Sequence, residues 1–132
     1  MSKEETNNIV ENPKILGAVE VEKLDLRPFK NQKARIEKVE YVMHEANGMY
    51  VKLSTNVLEG SPKGREVRAS VILGLIEKVD TETDEVLGYG WGKESKTASF
   101  LQKMEVDTLE DLKGVEVIVL YDVVKGKDIL RF

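Results

Sequence analysis

Tyr50, Lys52, Ser54 and Asn56 alternate along one stretch of the chain, and Arg68 falls in the next, so two adjoining strands would set all five on one outward face. An aromatic ring among cations and hydrogen-bonding side chains is what single-stranded nucleic acid requires: a surface on which bases stack, and charge for the phosphates. Lys33, Arg35, Lys38, Lys63 and Arg65 would stand at the edges of that face. A half-exposed antiparallel sheet also shows polar residues to water with no other purpose, so the pattern alone supports either reading.

A second run, Gly-Tyr-Gly-Trp-Gly-Lys at 88–93, suggests a phosphate loop, since its glycines let backbone amides approach an anion and Lys93 adds charge. A P-loop needs glycine five residues before Gly92 and a hydroxyl after Lys93, and this chain has Leu87 and Glu94 there. Two readings remain: a flexible turn whose Trp91 packs on the body, or a stacking platform of Tyr89 and Trp91 with Lys93 and Lys96 beside a nucleic-acid backbone. Asp80, Glu82 and Asp84 are spaced like the opening of a calcium loop. Glu85 then stands where a glycine should turn the chain and Trp91 where a glutamate should close it, so a solvated acidic loop is expected. His44 is the single histidine, beside a turn, and supports neither a general base nor a zinc ligand. Without cysteine there are no disulfides, thiolate zinc sites or cysteine nucleophiles. No Ser/His/Asp order or pair of acids stands out, and the chain reads as non-catalytic, with no metal or cofactor.

The elements that must position these residues are organised around residues 95–124. Ala98, Leu101 and Met104, flanked by Phe100, share one face of a helix of two to three turns. Asp107-Thr108-Leu109-Glu110 has the form of a capping box, with Asp107 accepting from the Glu110 amide and Glu110 reaching back. Gly114 suits a left-handed stop, and VEVIVLYDVV at 115–124 reads as a strand buried along most of its length. Upstream, residues 1–13 form a polar, flexible tail. Residues 14–29 regain apolar residues, with brief alternation at Val19 and Val21, and read as an arm packed on the body or exchanged with a neighbouring subunit. The apolar phase changes within 33–43, from Ala34 and Ile36 to Val39, Tyr41 and Met43, which marks a bulge. Asn47-Gly48 signals a hairpin, 49–57 alternates cleanly, 61–64 is a turn, and 65–75 is a third strand whose continuation to Val79 is ambiguous between strand and helix. After the acidic loop at 80–85, residues 86–92 lead to the helix, and the turn at 125–128 leads to a last strand at 129–132.

Three strands, a helix and two strands match the OB fold, a five-stranded Greek-key barrel with a helix between the third and fourth strands. The expected protein is mainly β, with tail 1–13, arm 14–29 and OB-like barrel 30–132; another small mixed barrel would use similar elements. At 132 residues, 41% apolar and 33% charged, it reads as one soluble cytoplasmic domain without a membrane span. MSKEETNN lacks the apolar core of a signal peptide. A net charge of −4 argues against duplex DNA held through bulk charge.

From residue 33 to the end, the elements resemble OB-fold single-stranded nucleic-acid-binding proteins. The segment SKTASFLQKMEVDTLEDLKGVEV is similar to a helix-to-strand pattern of small phage and archaeal-element proteins of that type, with Ser95, Lys96, Phe100, Leu101, Val106, Leu109, Leu112 and Gly114 as its recurring kinds of residue. The resemblance implies single-strand binding, DNA favoured over RNA, in replication, repair or packaging of a mobile element, through Tyr50, Lys52, Arg68 and Trp91. With their neighbours, the expected interface is Arg35, Tyr50, Lys52, Asn56, Arg65, Arg68, Trp91 and Lys93. The acidic net charge, the scarcity of aromatics and the end at Arg131-Phe132 depart from the family pattern. The alternative is a structural or interaction subunit of a virion or other assembly, possessing a homo-oligomeric contact through the arm and no nucleic acid.

Overall fold

The computed structural model describes residues 9–19, 23–46 and 48–132. Among them, β1 (Lys33–His44), β2 (Gly48–Thr55), β3 (Ser70–Gly74), β4 (Ile76–Val79) and β5 (Val86–Gly90) precede α1 (Lys96–Lys103); β6 (Glu116–Ile118), β7 (Leu120–Val124) and β8 (Lys127–Arg131) follow it. Single 3-10 turns lie at Arg27–Phe29 and Glu110–Leu112. The fold is mainly β. Four strands in the order β3-β2-β1-β6 curl into an antiparallel half-barrel, and β4-β5 and β7-β8 form separate hairpins.

The curl originates in β1. Its register against β2 slips between Ile36 and Lys38, so Glu37 is an extra residue and the strand coils there, as the change of apolar phase predicts. Before the bulge, β1 pairs with β6 through Lys33, Ala34 and Arg35; after it, β1 pairs with β2 as far as His44 opposite Gly48. Alternation on β2 sends Val51, Leu53 and Thr55 inward, completely buried, to meet Ile36, Ala69, Leu73, Leu112 and Val119. Each large aliphatic side chain so buried contributes about 1.5–3 kcal/mol relative to exposure.

α1 forms where its residues dictate. The Ser95 hydroxyl oxygen accepts from the Ala98 amide at 3.1 Å, satisfying one of the helix's open donors. Phe100 and Leu101 are buried, and the Phe100 ring lies 6.1 Å from that of Phe132. Thr97 is buried too, and its hydroxyl donates to the Gly74 carbonyl at 2.7 Å, fastening α1 to the end of β3. The helix is thus held against the half-barrel by apolar area and by one satisfied polar contact.

Several expectations need correction. There are eight strands among the described residues, not five, because β4 and β5 form a hairpin ahead of the helix, with the acidic loop as its turn, and the strand expected at 115–124 divides into β6 and β7. The third strand is ladder-paired only from Ser70. Residues 65–69 run beside the end of β2 through isolated bonds, Leu58 N to Val67 O at 2.8 Å and Thr55 N to Ala69 O at 3.0 Å. The strand at 115–124 is neither single nor buried along most of its length. It turns between partners at Val119, which exchanges bonds with Asn31 and Gln32; only Val117 and Val119 are buried, and Ile118, Leu120, Val123 and Val124 are exposed because one face alone is covered. Asp107 caps nothing: the Thr108 hydroxyl oxygen accepts from the Asp111 amide at 3.2 Å, and Glu110 accepts from Tyr41 instead of reaching back. Gly114, with φ +90°, does take the left-handed stop. The last turn is the two-residue Lys125-Gly126, both at positive φ, so β8 starts at Lys127.

At the N-terminal end, Val19 belongs to no strand, and Val21, like residues 1–8, lies outside the described residues. Residues 9–19 are exposed, and packing starts only with half-buried Leu24 and Leu26 and buried Phe29. Gly48 opens β2 with φ +75°, while Asn47 lies outside the described residues. Ser54, expected in solvent, is buried at 6% exposure.

Candidate nucleic-acid interface

Cross-strand register gathers the outer face of the half-barrel. Tyr50 lies between Val42 and Gly74, Lys52 between Glu40 and Ile72, and Ser54 between Lys38 and Ser70. Tyr50 is half-buried beside a glycine that puts no side chain next to it, whereas Lys52 is exposed. Of the residues predicted on this face, Tyr50 and Lys52 stand on it, with Glu40 opposite Lys52, while Ser54 is closed off from solvent and Asn56 and Arg68 lie outside the β2-β3 ladder.

Two of the predicted residues have structural duties. The Arg68 guanidinium is ion-paired with Glu37, the bulge residue, approaches Glu66 at 3.5 Å and donates to the Thr55 carbonyl at 2.7 Å. The hydrogen bond to Glu37, with the nearby negative charge, holds Arg68 above its ordinary pKa. Arg68 therefore clamps the bulge of β1 to the end of β2. Asn56 acts as an added rung of the ladder: its amide donates to the Arg35 carbonyl at 3.0 Å, and its side-chain oxygen accepts from the Arg35 amide at 2.8 Å.

Two grooves flank this face. One, of about 450 Å³, brings Arg35 together with Lys33, Lys113, Glu37 and Glu116. The other, of about 780 Å³, follows the seam between residues 65–70 and β8, where Lys23, Arg65, Arg68 and Lys127 meet Glu66 and Asp128. Leu24 and Leu26 also line this seam, so the root of the N-terminal arm helps to form it. No periodic signal in the sequence marks Lys23 or Lys113, and Lys127 falls in the stretch whose composition indicates a turn.

Trp91 and Lys93 line neither groove. Trp91 is half-buried against the core and forms, with Ile76, Leu87 and Tyr89, a hollow of about 390 Å³ on the β4-β5 hairpin. Lys93 is exposed in the turn before α1, where the Gly92 carbonyl accepts from the Ser95 amide and hydroxyl.

The remaining polar clusters have local partners. The Asp80 carboxylate accepts from the Glu82 amide at 2.8 Å and closes the hairpin turn. No group of three His, Cys, Asp or Glu among the described residues could hold a metal ion. The Tyr41 hydroxyl donates to Glu110 at 2.8 Å; burial and this bond hold the phenol above its ordinary pKa. Glu110 is held below the usual carboxylate range by its own backbone amide, and further by Tyr41 and Thr108. Among the described residues no helix is long and apolar enough to cross a membrane. No family model, curated protein or solved structure matches this chain.

Proposed function

We propose that this protein binds single-stranded DNA or RNA, without catalysing a reaction, on the outer face of an OB-like barrel. Three features support the barrel reading: β1 is shared between β2 and β6, α1 leads into β6, and β3 approaches β8 across the seam. The observation that carries the functional reading is the seam groove, where Lys23, Arg65 and Lys127 stand together and Arg68 and Ser70 continue onto the face of Tyr50 and Lys52. A strand lying there would set phosphates against the groove cations and a base against Tyr50. With four exposed cations engaged, Lys23, Lys52, Arg65 and Lys127, the logarithm of affinity should fall with the logarithm of salt at a slope of roughly −3.

Fluorescence anisotropy of a labelled oligo-dT of about 30 nucleotides, with oligo-rU compared at the same salt, tests this. Arg65→Ala with Lys127→Ala should flatten the slope by about 1.4, at roughly 0.7 per lost contact. Tyr50→Ala with Lys52→Ala should weaken binding tenfold or more at a temperature where parent and variant are both fully folded, since stacking on an aromatic is worth about 1–3 kcal/mol per base. Unchanged affinity in both double variants, or no binding at low salt, would reject the interface.

A further inference from the structure

We propose that the protein pairs with a second copy of itself by seating residues 9–19 of each chain on the β4-β5 hairpin of the other. The inference is independent of nucleic-acid binding and starts from two apolar surfaces that this chain leaves in water. In the arm, Ile9, Val10, Ile15, Leu16 and Val19 are 64–88% exposed, although Leu24, Leu26 and Phe29 immediately beyond are packed. Scattered exposed aliphatics are ordinary; five large ones within eleven residues, tethered at one end, form a segment that lacks its cover.

The second surface is the hairpin. Every residue of β4 is exposed, and Val86, Leu87 and Tyr89 of β5 are 41–59% exposed. Among the described residues β5 has β4 as its single ladder neighbour, so its far edge presents open backbone groups there, and VLGYGWG across 86–92 contains no charge. Sheet edges are normally guarded by charged residues, proline or a covering element. Here Gly88 and Gly90 stand opposite Lys78 and Ile76 and add no side chains of their own, and the hairpin carries the hollow lined by Ile76, Leu87, Tyr89 and Trp91.

Reach, charge and area agree on a second copy as the occupant. Eleven extended residues span roughly 36 Å, and five-residue strands about 17 Å, so the arm can cross the whole hairpin. Within 9–19 the arm carries Glu11 and Lys14, and β4 carries Glu77 and Lys78, so neither side opposes the other with a block of like charge. At roughly 60–120 Å² per buried aliphatic side chain, two exchanged arms and the surface they cover reach the ~1,200–2,000 Å² of a stable protein interface. Reciprocal exchange supplies one arm for each hairpin and closes about a two-fold axis.

The test measures molar mass by light scattering on the full chain without nucleic acid, across a hundredfold range of concentration. The parent should approach twice its 14.9 kDa. Ile15→Asp with Leu16→Asp on the arm, and Leu87→Lys with Tyr89→Lys on the hairpin, should each lower the mass to one copy. All four positions are exposed in the single chain, so each variant should keep the parent's circular dichroism spectrum while it loses the concentration-dependent part of the parent's melting temperature. Because the chain lacks cysteine, Leu16→Cys and Leu87→Cys chains mixed under oxidising conditions should form a hetero-crosslink in preference to either homo-crosslink. A parent of single-copy mass throughout, a dimer that survives either charged pair, or homo-crosslinks alone would overturn the proposal.

Discussion

β2 and β5 are built from similar material and meet opposite fates. β2 places Val51 and Leu53 completely out of water, while β5 leaves Val86, Leu87 and Tyr89 about half exposed. β2 has β1 on one edge and β3 on the other, and the helix and the C-terminal strands close over its inner face. β5 has β4 alone. An apolar strand pattern therefore indicates which face is available for burial, and the neighbouring elements decide whether anything covers it.

Substitutions can break or sharpen that contrast. Leu53→Ala should have the largest effect, about 2–5 kcal/mol of lost stability in urea denaturation, because it opens a cavity where no side chain is exposed. Thr97→Val comes next, at about 1–3 kcal/mol, since it keeps the shape but leaves the Gly74 carbonyl without its donor. Gly114→Ala should lose about 1 kcal/mol through strain at φ +90° alone, as a side chain there meets no atom within 4 Å. Tyr41→Phe tests the polar margin of the half-barrel by its pH dependence. The raised phenol stabilises the fold below its ordinary titration range and ceases to do so as pH rises through its folded pKa. The depressed Glu110 carboxyl acts in the opposite sense, and its contribution disappears as pH falls through its folded pKa. The variant should lose the alkaline dependence and reduce the acidic one, leaving a flatter stability profile. The smallest effect is expected for Leu87→Ala, within about 0.5 kcal/mol in dilute solution. A loss there as large as at Leu53 would mean the hairpin is packed and the contrast false.

The same contrast explains what the sequence disclosed. The bulge after Ile36, the alternation of β2, the helix after Ser95 and the stop at Gly114 were legible because each follows from local spacing or one residue's backbone preference. The β4-β5 hairpin was not, since its turn is six residues long and Gly88 and Gly90 blur the alternation. The outer face was readable as a set of positions through the two-residue period. The commitments of Arg68 and Asn56 were hidden, because their partners Glu37 and Arg35 lie 31 and 21 residues away. Lys23 and Lys127 come together only across a seam made by distant parts of the chain.

The double allegiance of β1 also has a kinetic meaning. Its pairing with β2 closes a short local loop, whereas its pairing with β6 joins Arg35 to Glu116 across most of the chain. Closing the longer loop is entropically more demanding, so the β1-β2 hairpin should form early and β6 should dock late. Lesions such as Leu53→Ala would then slow refolding, and Val117→Ala would mainly speed unfolding. One strand would thus divide the folding reaction in time as its bulge divides the sheet in space.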